Sequence, residues 1–325
     1  MKLLRILGAL CALALLTAAP AAAQLNGSHL LGDFGVMSGT QPNPGLYTGL
    51  LYYRYSTDTL KDRNGDTARP LPGDPTSIAL DAYAPLLWYV SPAKILGANV
   101  GAFATFPFVN ASIDVPAFGF GTTTSTKYTD MMVRPVDLGW HPKRADIAAG
   151  FQFYAPTGTY EFGGSDNNGK GMWTYEPFVG TTVYLDEKKS LSLATTAYWE
   201  MHGKKKDTDI KVGQILTLQG GFGKSFLDGG LVFGAAYYAQ WKLTADKLGV
   251  FGLPGGSSIG PGLDNMKHRV FAVGPDVTLP VASKSKLYSL VNLRYLWETG
   301  ARSKTQGSSL VVTATVPIPS IKLKK

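Results

Sequence analysis

The chain has 325 residues with 38 glycines, 16 tyrosines, 15 phenylalanines and 6 tryptophans, and its formal net charge is +8. No stretch after the N-terminal residues approaches about 18 apolar residues in a row, which excludes helical membrane spans there. The single cysteine, Cys11, excludes disulfides within the rest of the chain. The near-zero mean hydropathy fits a barrel that averages an apolar exterior with a polar interior, or a soluble periplasmic all-β protein.

Residues 1–23 have the composition of a secretory signal peptide. A basic start and the apolar core Ile6–Leu16 precede an A-x-A cleavage pattern that ends at Ala23. The apolar run is too short to span a bilayer, which disfavours the alternative of a retained anchor. Removing the two basic residues of this peptide leaves 31 − 2 = 29 basic and 23 acidic residues, a net charge of +6. That excess suits anionic solutes or lipid phosphates, and equally a solvated surface.

The chain after Gly45 is dominated by segments that alternate apolar and polar residues. Such alternation over about ten residues, bounded by turn residues, is typical of membrane β-strands. The stretch Ile147–Tyr184 is the clearest case, because it contains two such strands joined by a glycine-rich loop. About twelve strands are predicted: Leu46–Tyr55, Ser77–Ser91, Gly97–Val109, Met131–Trp140, two within Ile147–Tyr184, Ser190–His202, Gln214–Phe226, Leu231–Lys242, His268–Leu279, Leu287–Glu298 and Ser308–Val316.

The connections between these strands alternate between long and short, which is the pattern of outer-membrane barrels. Four tryptophans fall at one set of strand ends, and Trp88 and Trp140 fall at the other, as two aromatic girdles require. The predicted fold class is therefore all-β, an antiparallel transmembrane β-barrel of about 12 strands over residues 46–317. Pro135 and Pro177 lie within strands, where each removes a ladder donor, and predict bulges or displaced boundaries.

The segments that flank the barrel are assigned separately. Residues 24–45 have weak periodicity and carry Pro42 and Pro44, so they are predicted to be a periplasmic lead-in. This lead-in is too short to be expected to form a plug domain. Residues 318–325 are predicted to be a basic C-terminal tail.

Polar residues predicted to face the lumen are the candidate site. A charge that faces lipid at mid-depth costs about 2–4 kcal/mol for Arg or Lys, so such residues belong inside a barrel. They either line a solute path, as rings of charge do in channels, or form hydrogen-bonded pairs that fill a narrow barrel. Tyr83 and Tyr198 are predicted to face the lumen too, as interior filler or as stacking partners for aromatic solutes. The principal lumen-facing candidates are Asp81, Gln152, Tyr154, Glu176, Glu200, Gln219, Gln240, Asn292 and Arg294.

Other polar clusters have simpler competing interpretations. Lys204, Lys205 and Lys206 lie at the outer end of a strand and are predicted to contact lipopolysaccharide phosphates, or to form a solvated loop. The four histidines lack metal-ligand spacing, so no metal site and no cofactor is predicted. A barrel lipase fails on geometry, because Ser192 and His202 lie over about 30 Å apart along one strand.

Five short motifs carry a resemblance to a known family. They are Gly32-Asp33-Phe34-Gly35-Val36, Gly39-Thr40-Gln41-Pro42, Phe153-Tyr154-Ala155-Pro156-Thr157-Gly158, Gly171-Met172-Trp173-Thr174-Tyr175-Glu176-Pro177 and His202-Gly203-Lys204-Lys205. As a set they resemble the transporter-like outer-membrane family associated with the meta-pathway of phenol degradation. The resemblance spans about Gly32 to Val316 and implies an outer-membrane barrel that passes hydrophobic or aromatic compounds. It supplies no catalytic residues.

These observations predict a bacterial outer-membrane channel, active after signal-peptide removal, for passive uptake of small hydrophobic or aromatic compounds. It is predicted not to be an enzyme and not to bind nucleic acid. Its expected partners are outer-membrane lipids, lipopolysaccharide and the solute itself. The alternative is a non-transporting surface barrel whose external loops bind a partner or lipopolysaccharide.

Overall fold

A computed structural model describes residues 25–68, 77–115, 120–161, 164, 166–226, 230–247, 267–283, 286–319 and 321–322. The predicted signal peptide lies outside the described residues. Within those residues, no helix has the length and hydropathy needed to cross a membrane.

Twelve strands within the described residues form one closed antiparallel sheet. A second segment, Phe108–Val115, continues the third strand past Pro107 and pairs with the same neighbour. The short strand Leu60–Lys61 pairs with Lys304–Thr305 outside the main sheet. The twelve strands are β1 Gly45–Thr57, β2 Ser77–Ile95, β3 Ala98–Thr105, β4 Met131–Trp140, β5 Ala145–Ala155, β6 Thr174–Tyr184, β7 Leu191–His202, β8 Ile215–Phe226, β9 Leu231–Lys242, β10 Arg269–Ser283, β11 Lys286–Arg302 and β12 Ser308–Ile318.

The sheet closes because β1 pairs with strands from both ends of the chain. Tyr53 lies opposite Val311 of β12 on one side and opposite Ala82 of β2 on the other. Every other strand pairs with its neighbours in sequence, so the cylinder has no free edge along which backbone groups would lack partners. The predicted all-β antiparallel barrel of about 12 strands is confirmed. We call its two rims the turn end, where short turns such as 96–97 lie, and the loop end, where the long connections lie.

Each strand separates two environments. In β6, Tyr175, Val179 and Val183 are exposed on the outer face, whereas Thr174 and Glu176 are fully buried on the inner face. The period of two places alternate side chains on opposite faces of the sheet, so one strand serves both lipid and lumen.

The tryptophans follow this division with one exception. Trp173, Trp199 and Trp297 are exposed on the outer face near the loop end, where an indole suits the headgroup level. Trp88 instead points inward, and its Nε1 donates a hydrogen bond to Asp137 at 2.8 Å. The tryptophan of β2 therefore belongs to the interior and not to a girdle at the turn end.

The strand irregularities match part of the expectation. At Pro135 the register of β4 against β5 shifts between Val133 and Val136, as a bulge requires. At Pro177 the register of β6 is continuous on both sides, so this proline interrupts the ladder without shifting it. The last strand continues to Ile318, and Ile321–Lys322 pairs with β11, so part of the predicted basic tail belongs to the sheet.

The prediction of a periplasmic lead-in at residues 24–45 is wrong for the residues that the structure describes. Leu25 lies at the loop end, where its carbonyl accepts a hydrogen bond from Lys242, the last residue of β9. Gly45 begins β1 at the turn end. Residues 25–44, which we call the lumen segment, therefore run through the barrel from one end to the other.

Replacing Val179 with lysine is expected to destabilise the barrel by about 2–4 kcal/mol, because Val179 is 56% exposed on the outer face at the centre of β6. Leu185, 50% exposed just beyond the turn end of β6, is the matched control, and its lysine variant is expected to cost about 0–1 kcal/mol. Urea unfolding in phospholipid vesicles measures both values. Equal costs at the two positions would contradict the placement of β6 across a bilayer.

Candidate functional site

The loop end of the lumen segment is held by two buried glutamates. The backbone N–H groups of Ser28 and His29 both donate to the Glu200 carboxylate. The His29 ring nitrogen Nδ1 lies 3.0 Å from Glu176 Oε1, and the ring centroid lies 4.3 Å from that of Tyr198. Charged acceptors strengthen hydrogen bonds, so this group anchors the segment firmly inside the barrel.

The middle of the lumen segment is bound by β8 and β10. The Gly32 N–H donates to Gln219 Oε1 at 3.1 Å, and the Gln219 amide nitrogen donates to Asp33 in return. The Val36 N–H donates to Asp276 Oδ2 at 2.9 Å. Backbone groups that belong to no strand thus find partners on the barrel wall, as buried backbone must.

The turn end of the segment is fixed by β4, β5 and β6. The Thr40 hydroxyl donates to Asp146 Oδ2 at 3.1 Å and contacts the Thr182 hydroxyl at 2.9 Å. The Gln41 amide nitrogen donates to the Asp137 carbonyl at 2.7 Å. Polar contacts therefore follow the segment along the whole length of the lumen.

Apolar side chains of the segment enter pockets of the wall. Leu31 packs in a buried cluster with Tyr238 and Leu296. Val36, only 3% exposed, lies against three glycines of β8 and β9, at which any added side chain would collide with it. These glycines are Gly221, Gly223 and Gly234.

Glycines of the segment itself allow its backbone to touch the wall. A Cβ atom at Gly39 would overlap the backbone of Thr181, and one at Gly35 would overlap the Asp276 carboxylate. Gly32 adopts a φ of +78°, which a residue with a side chain rarely adopts. The spacing of these glycines sets where the segment presses against the barrel.

Eight of the nine predicted lumen residues lie on the inner face, and they divide into two groups. Glu176, Glu200 and Gln219 hold the lumen segment. The others mostly bond to the wall, as when Gln152 Oε1 accepts from the Arg134 guanidinium at 2.9 and 2.7 Å. Their part in a solute path stays a prediction. The inward residues are Gln152, Tyr154, Glu176, Glu200, Gln219, Gln240, Asn292 and Arg294.

The prediction that Asp81 faces the lumen is wrong. Its carboxylate lies on the outer face near the loop end, 3.2 Å from Arg54 Nη1 and 2.7 Å from the Tyr52 hydroxyl. Tyr83, two residues along β2, also faces outward and is 41% exposed. Ala82 and Ala84, on the inner face beside Tyr83, are buried. A paired charge near the rim of the barrel costs little, so Asp81 does not need the lumen.

The three predicted lipopolysaccharide-binding lysines lie in two environments. Lys204 is exposed and pairs with Asp209 at 2.7 Å, and Lys206 is also exposed, so their contact with lipid phosphates stays a prediction. Lys205 is only 2% exposed, and its Nζ donates to the carbonyl of Lys170 at 2.6 Å. The prediction for Lys205 is wrong, because a buried ammonium group cannot reach a lipid headgroup.

Sequence reasoning missed several charged residues of the interior. Arg134 lies with its guanidinium carbon 4.2 Å from the Phe178 ring centroid, a cation–π distance. Asp137, Asp146 and Asp276 are all buried and contact the lumen segment. Alternation within their strands was the signal available for them. Among the described residues, no group of three or more His, Asp or Glu has the arrangement of a metal site.

The chain is similar to a known protein family in sequence and to solved outer-membrane proteins in structure. The family model described as "Putative MetA-pathway of phenol degradation" matches residues 57–314. No curated protein matches the chain. An outer membrane channel from Pseudomonas putida F1 has a TM-score of 0.68 and 11% identity, over 86% of this chain and 97% of that one. The transport unit of the autotransporter AIDA-I from Escherichia coli has a TM-score of 0.51 and 10% identity, over 93% and 97%. At such identities the likeness shows the fold alone.

The variant Gly39→Ala is expected to unseat the lumen segment, because its Cβ would overlap backbone that cannot move aside. The matched control is Gly45→Ala, where the nearest atoms to an added Cβ lie at an ordinary 3.5 Å. Single-channel recording in planar bilayers should show a larger mean conductance for Gly39→Ala and an unchanged one for Gly45→Ala. The same conductance in both variants would contradict this role for Gly39.

Proposed function

This chain belongs to the phenol-degradation MetA-pathway family, and we propose that it is an outer-membrane channel for passive uptake of small hydrophobic or aromatic compounds. Its fold is that of outer-membrane β-barrels. The solute would pass through the lumen when the lumen segment withdraws. The family description and the lumen itself support this proposal.

The observation that supports the proposal most strongly is that the lumen segment fills the barrel but takes no part in closing its wall. The wall closes through strand pairs such as β1 with β12, none of which involves residues 25–44. The segment is held by noncovalent contacts, and each hydrogen bond given up to water costs a net of about 0.5–1.5 kcal/mol, or about 1.5–3 kcal/mol where the acceptor is a charged carboxylate. Withdrawal would therefore open the barrel and leave its wall intact.

The lining behind the lumen segment suits aromatic solutes. Trp88, Phe103, Phe178 and Tyr198 all lie on the inner face, and Phe178 and Tyr198 stack with centroids 5.7 Å apart. Aromatic rings associate by such offset stacking and edge contacts. Once the segment is displaced, these rings would offer a passing aromatic compound a sequence of stacking partners.

A disulfide between the lumen segment and the wall tests whether the segment must move. The Thr40 and Thr182 hydroxyls lie 2.9 Å apart, so the double variant Thr40→Cys/Thr182→Cys places two thiols within bonding reach. Uptake of labelled toluene by cells that carry the oxidised variant should fall to that of a deletion strain and recover after reduction. Each single cysteine variant is a control that cannot form this bond and should transport normally under both conditions.

Equal toluene uptake by the oxidised and reduced double variant would show that solute passes without movement of the segment at Thr40. Equal uptake by wild-type and deletion strains across a panel of apolar and aromatic solutes would remove the uptake proposal.

The second candidate function is a non-transporting surface barrel whose loops bind a partner or lipopolysaccharide. The filled lumen favours this second candidate, because a barrel whose lumen is occupied at rest offers a solute no open path. Planar-bilayer recording of the Gly39→Ala variant separates the two candidates. A larger conductance supports the channel, whereas a barrel that stays closed although hydrogen exchange shows its lumen segment to be released supports the surface barrel.

A further inference from the structure

Two lysines contact the backbone carbonyls of Leu25 and Asn26, the first two residues that the structure describes. Lys242 Nζ donates to the Leu25 carbonyl at 2.9 Å, and Lys170 Nζ lies 3.4 Å from the Asn26 carbonyl. Lys242 ends β9, and Lys170 belongs to the connection between β5 and β6. Two distant parts of the chain thus bring ammonium groups to one point at the loop end of the lumen.

Two more lysines lie beside this point. Lys205 is buried, with its Nζ 5.0 Å from the Tyr160 ring centroid as well as bonded to the Lys170 carbonyl. Lys304 is half-buried, and its Nζ donates to Gln240 Oε1 at 2.5 Å. Burial, with a smaller contribution from the neighbouring Lys170 charge, lowers the pKa of Lys205 and of Lys304 to about 8. Lys304 reaches Gln240, two residues before Lys242 on the inner face of β9, and Lys205 reaches Lys170, so the four lysines lie in one region.

Only one carboxylate of the described residues touches these lysines, although Asp130, Glu200 and Glu298 attract them from beyond ion-pair distance. Asp246 pairs with Lys242 at 2.8 Å, which is the one ion pair that these four lysines form with described residues. The Asp130 carboxylate accepts from the backbone N–H groups of Gly158 and Lys170 and is occupied there. Lys170, Lys205 and Lys304 therefore donate to neutral oxygens. Desolvated ammonium groups with no carboxylate in direct contact are costly, so an anion that reaches Lys170, Lys205 or Lys304 directly would be favoured.

An apolar cup lies next to these lysines. Leu25 packs against Met172, Val212 and Ile215, which are 1%, 2% and 0% exposed. Leu25 thus places its apolar side chain in the cup and its carbonyl oxygen against the Lys242 ammonium group. A small carboxylate with an apolar or aromatic body has the same two parts, and its oxygens carry the charge that a carbonyl lacks.

We infer that this loop-end site binds a small amphipathic carboxylate, with an aromatic or branched apolar body, in place of residues 25 and 26. The inference rests on the proposed function, since it names the solute class that the channel would admit. The apolar body of the solute enters the cup formed by Met172, Val212 and Ile215, and its carboxylate binds the lysine ammonium groups. The solute thereby competes with the end of the lumen segment and begins its displacement.

The test reads the release of the segment directly, without transport. In the variant Ser28→Cys the new thiol lies beside Thr174 inside the lumen, because the Ser28 and Thr174 hydroxyls are 2.9 Å apart. The purified barrel is treated with a bulky maleimide in the presence of benzoate, of benzyl alcohol or of acetate. Benzoate should speed labelling several-fold, whereas the uncharged ring and the anion without a ring should not. The wild-type chain, treated in the same way, gives the background.

Two further variants assign the effect to the lysines. Lys170→Gln with Lys304→Gln, placed in the Ser28→Cys background, should raise the half-saturating benzoate concentration about tenfold, equivalent to about 1.4 kcal/mol. Glutamine keeps a donor for the carbonyl partners and removes the charge. Lys204→Gln is the matched control from the same loop end, because Lys204 is 67% exposed and pairs with Asp209. It should leave the benzoate response unchanged, and heat-dependent gel mobility checks that each variant is folded.

Labelling that does not depend on benzoate, or that responds equally to benzyl alcohol, would overturn the carboxylate site. An unchanged response in the Lys170→Gln/Lys304→Gln variant would overturn it too. Normal toluene uptake together with a missing benzoate response would remove this inference and leave the channel standing. A clear benzoate response in a barrel that transports nothing would support the site and remove the channel.

Discussion

Carboxylates buried inside the barrel receive hydrogen bonds from residues 28–36 of the lumen segment, in addition to those that the wall residues Gln152 and Asn292 donate. Glu176, Glu200 and Asp276 are at most 2% exposed, and all three are contacted by the lumen segment. A charged group without water or a donor is far too costly to keep inside a protein. The segment must therefore occupy the lumen, or water must replace it. The closed and open barrel are two ways of solvating the same groups, which links the architecture to the proposed transport.

Strand positions could be predicted from sequence because alternation between lipid and interior is written into each strand. Met131–Trp140 and Leu231–Lys242 have the same bounds in the prediction and in the structure. Which face of β2 points into the barrel could not be predicted, because both of its faces are apolar. Its Leu86 and Trp88 pack on Phe103 inside the barrel, while Leu87 and Tyr89 face outward. At this wall the interior is a packed apolar core and not a water-filled channel. The rule that charged residues face the lumen therefore failed for Asp81.

The path of the lumen segment left almost no local signal. It has no strand periodicity, and its partners are far away in sequence, with Val36 and Asp276 separated by 240 positions. Contacts of that separation cannot be read from spacing. The available clue was the pair of glycine-bearing motifs that begin at Gly32 and Gly39, whose glycines lie where the backbone meets the wall. The polar candidates were found because they alternate inward, but their partner on the segment was not.

The occupied lumen is tested most directly by hydrogen exchange of the folded barrel, read by mass spectrometry on peptides that cover residues 25–44. The amides of His29, Gly32 and Val36 each donate to a buried wall residue, so this region should exchange as slowly as the strands. Exchange far faster than that of the strands would contradict the account, because the segment would then lie outside the barrel at rest.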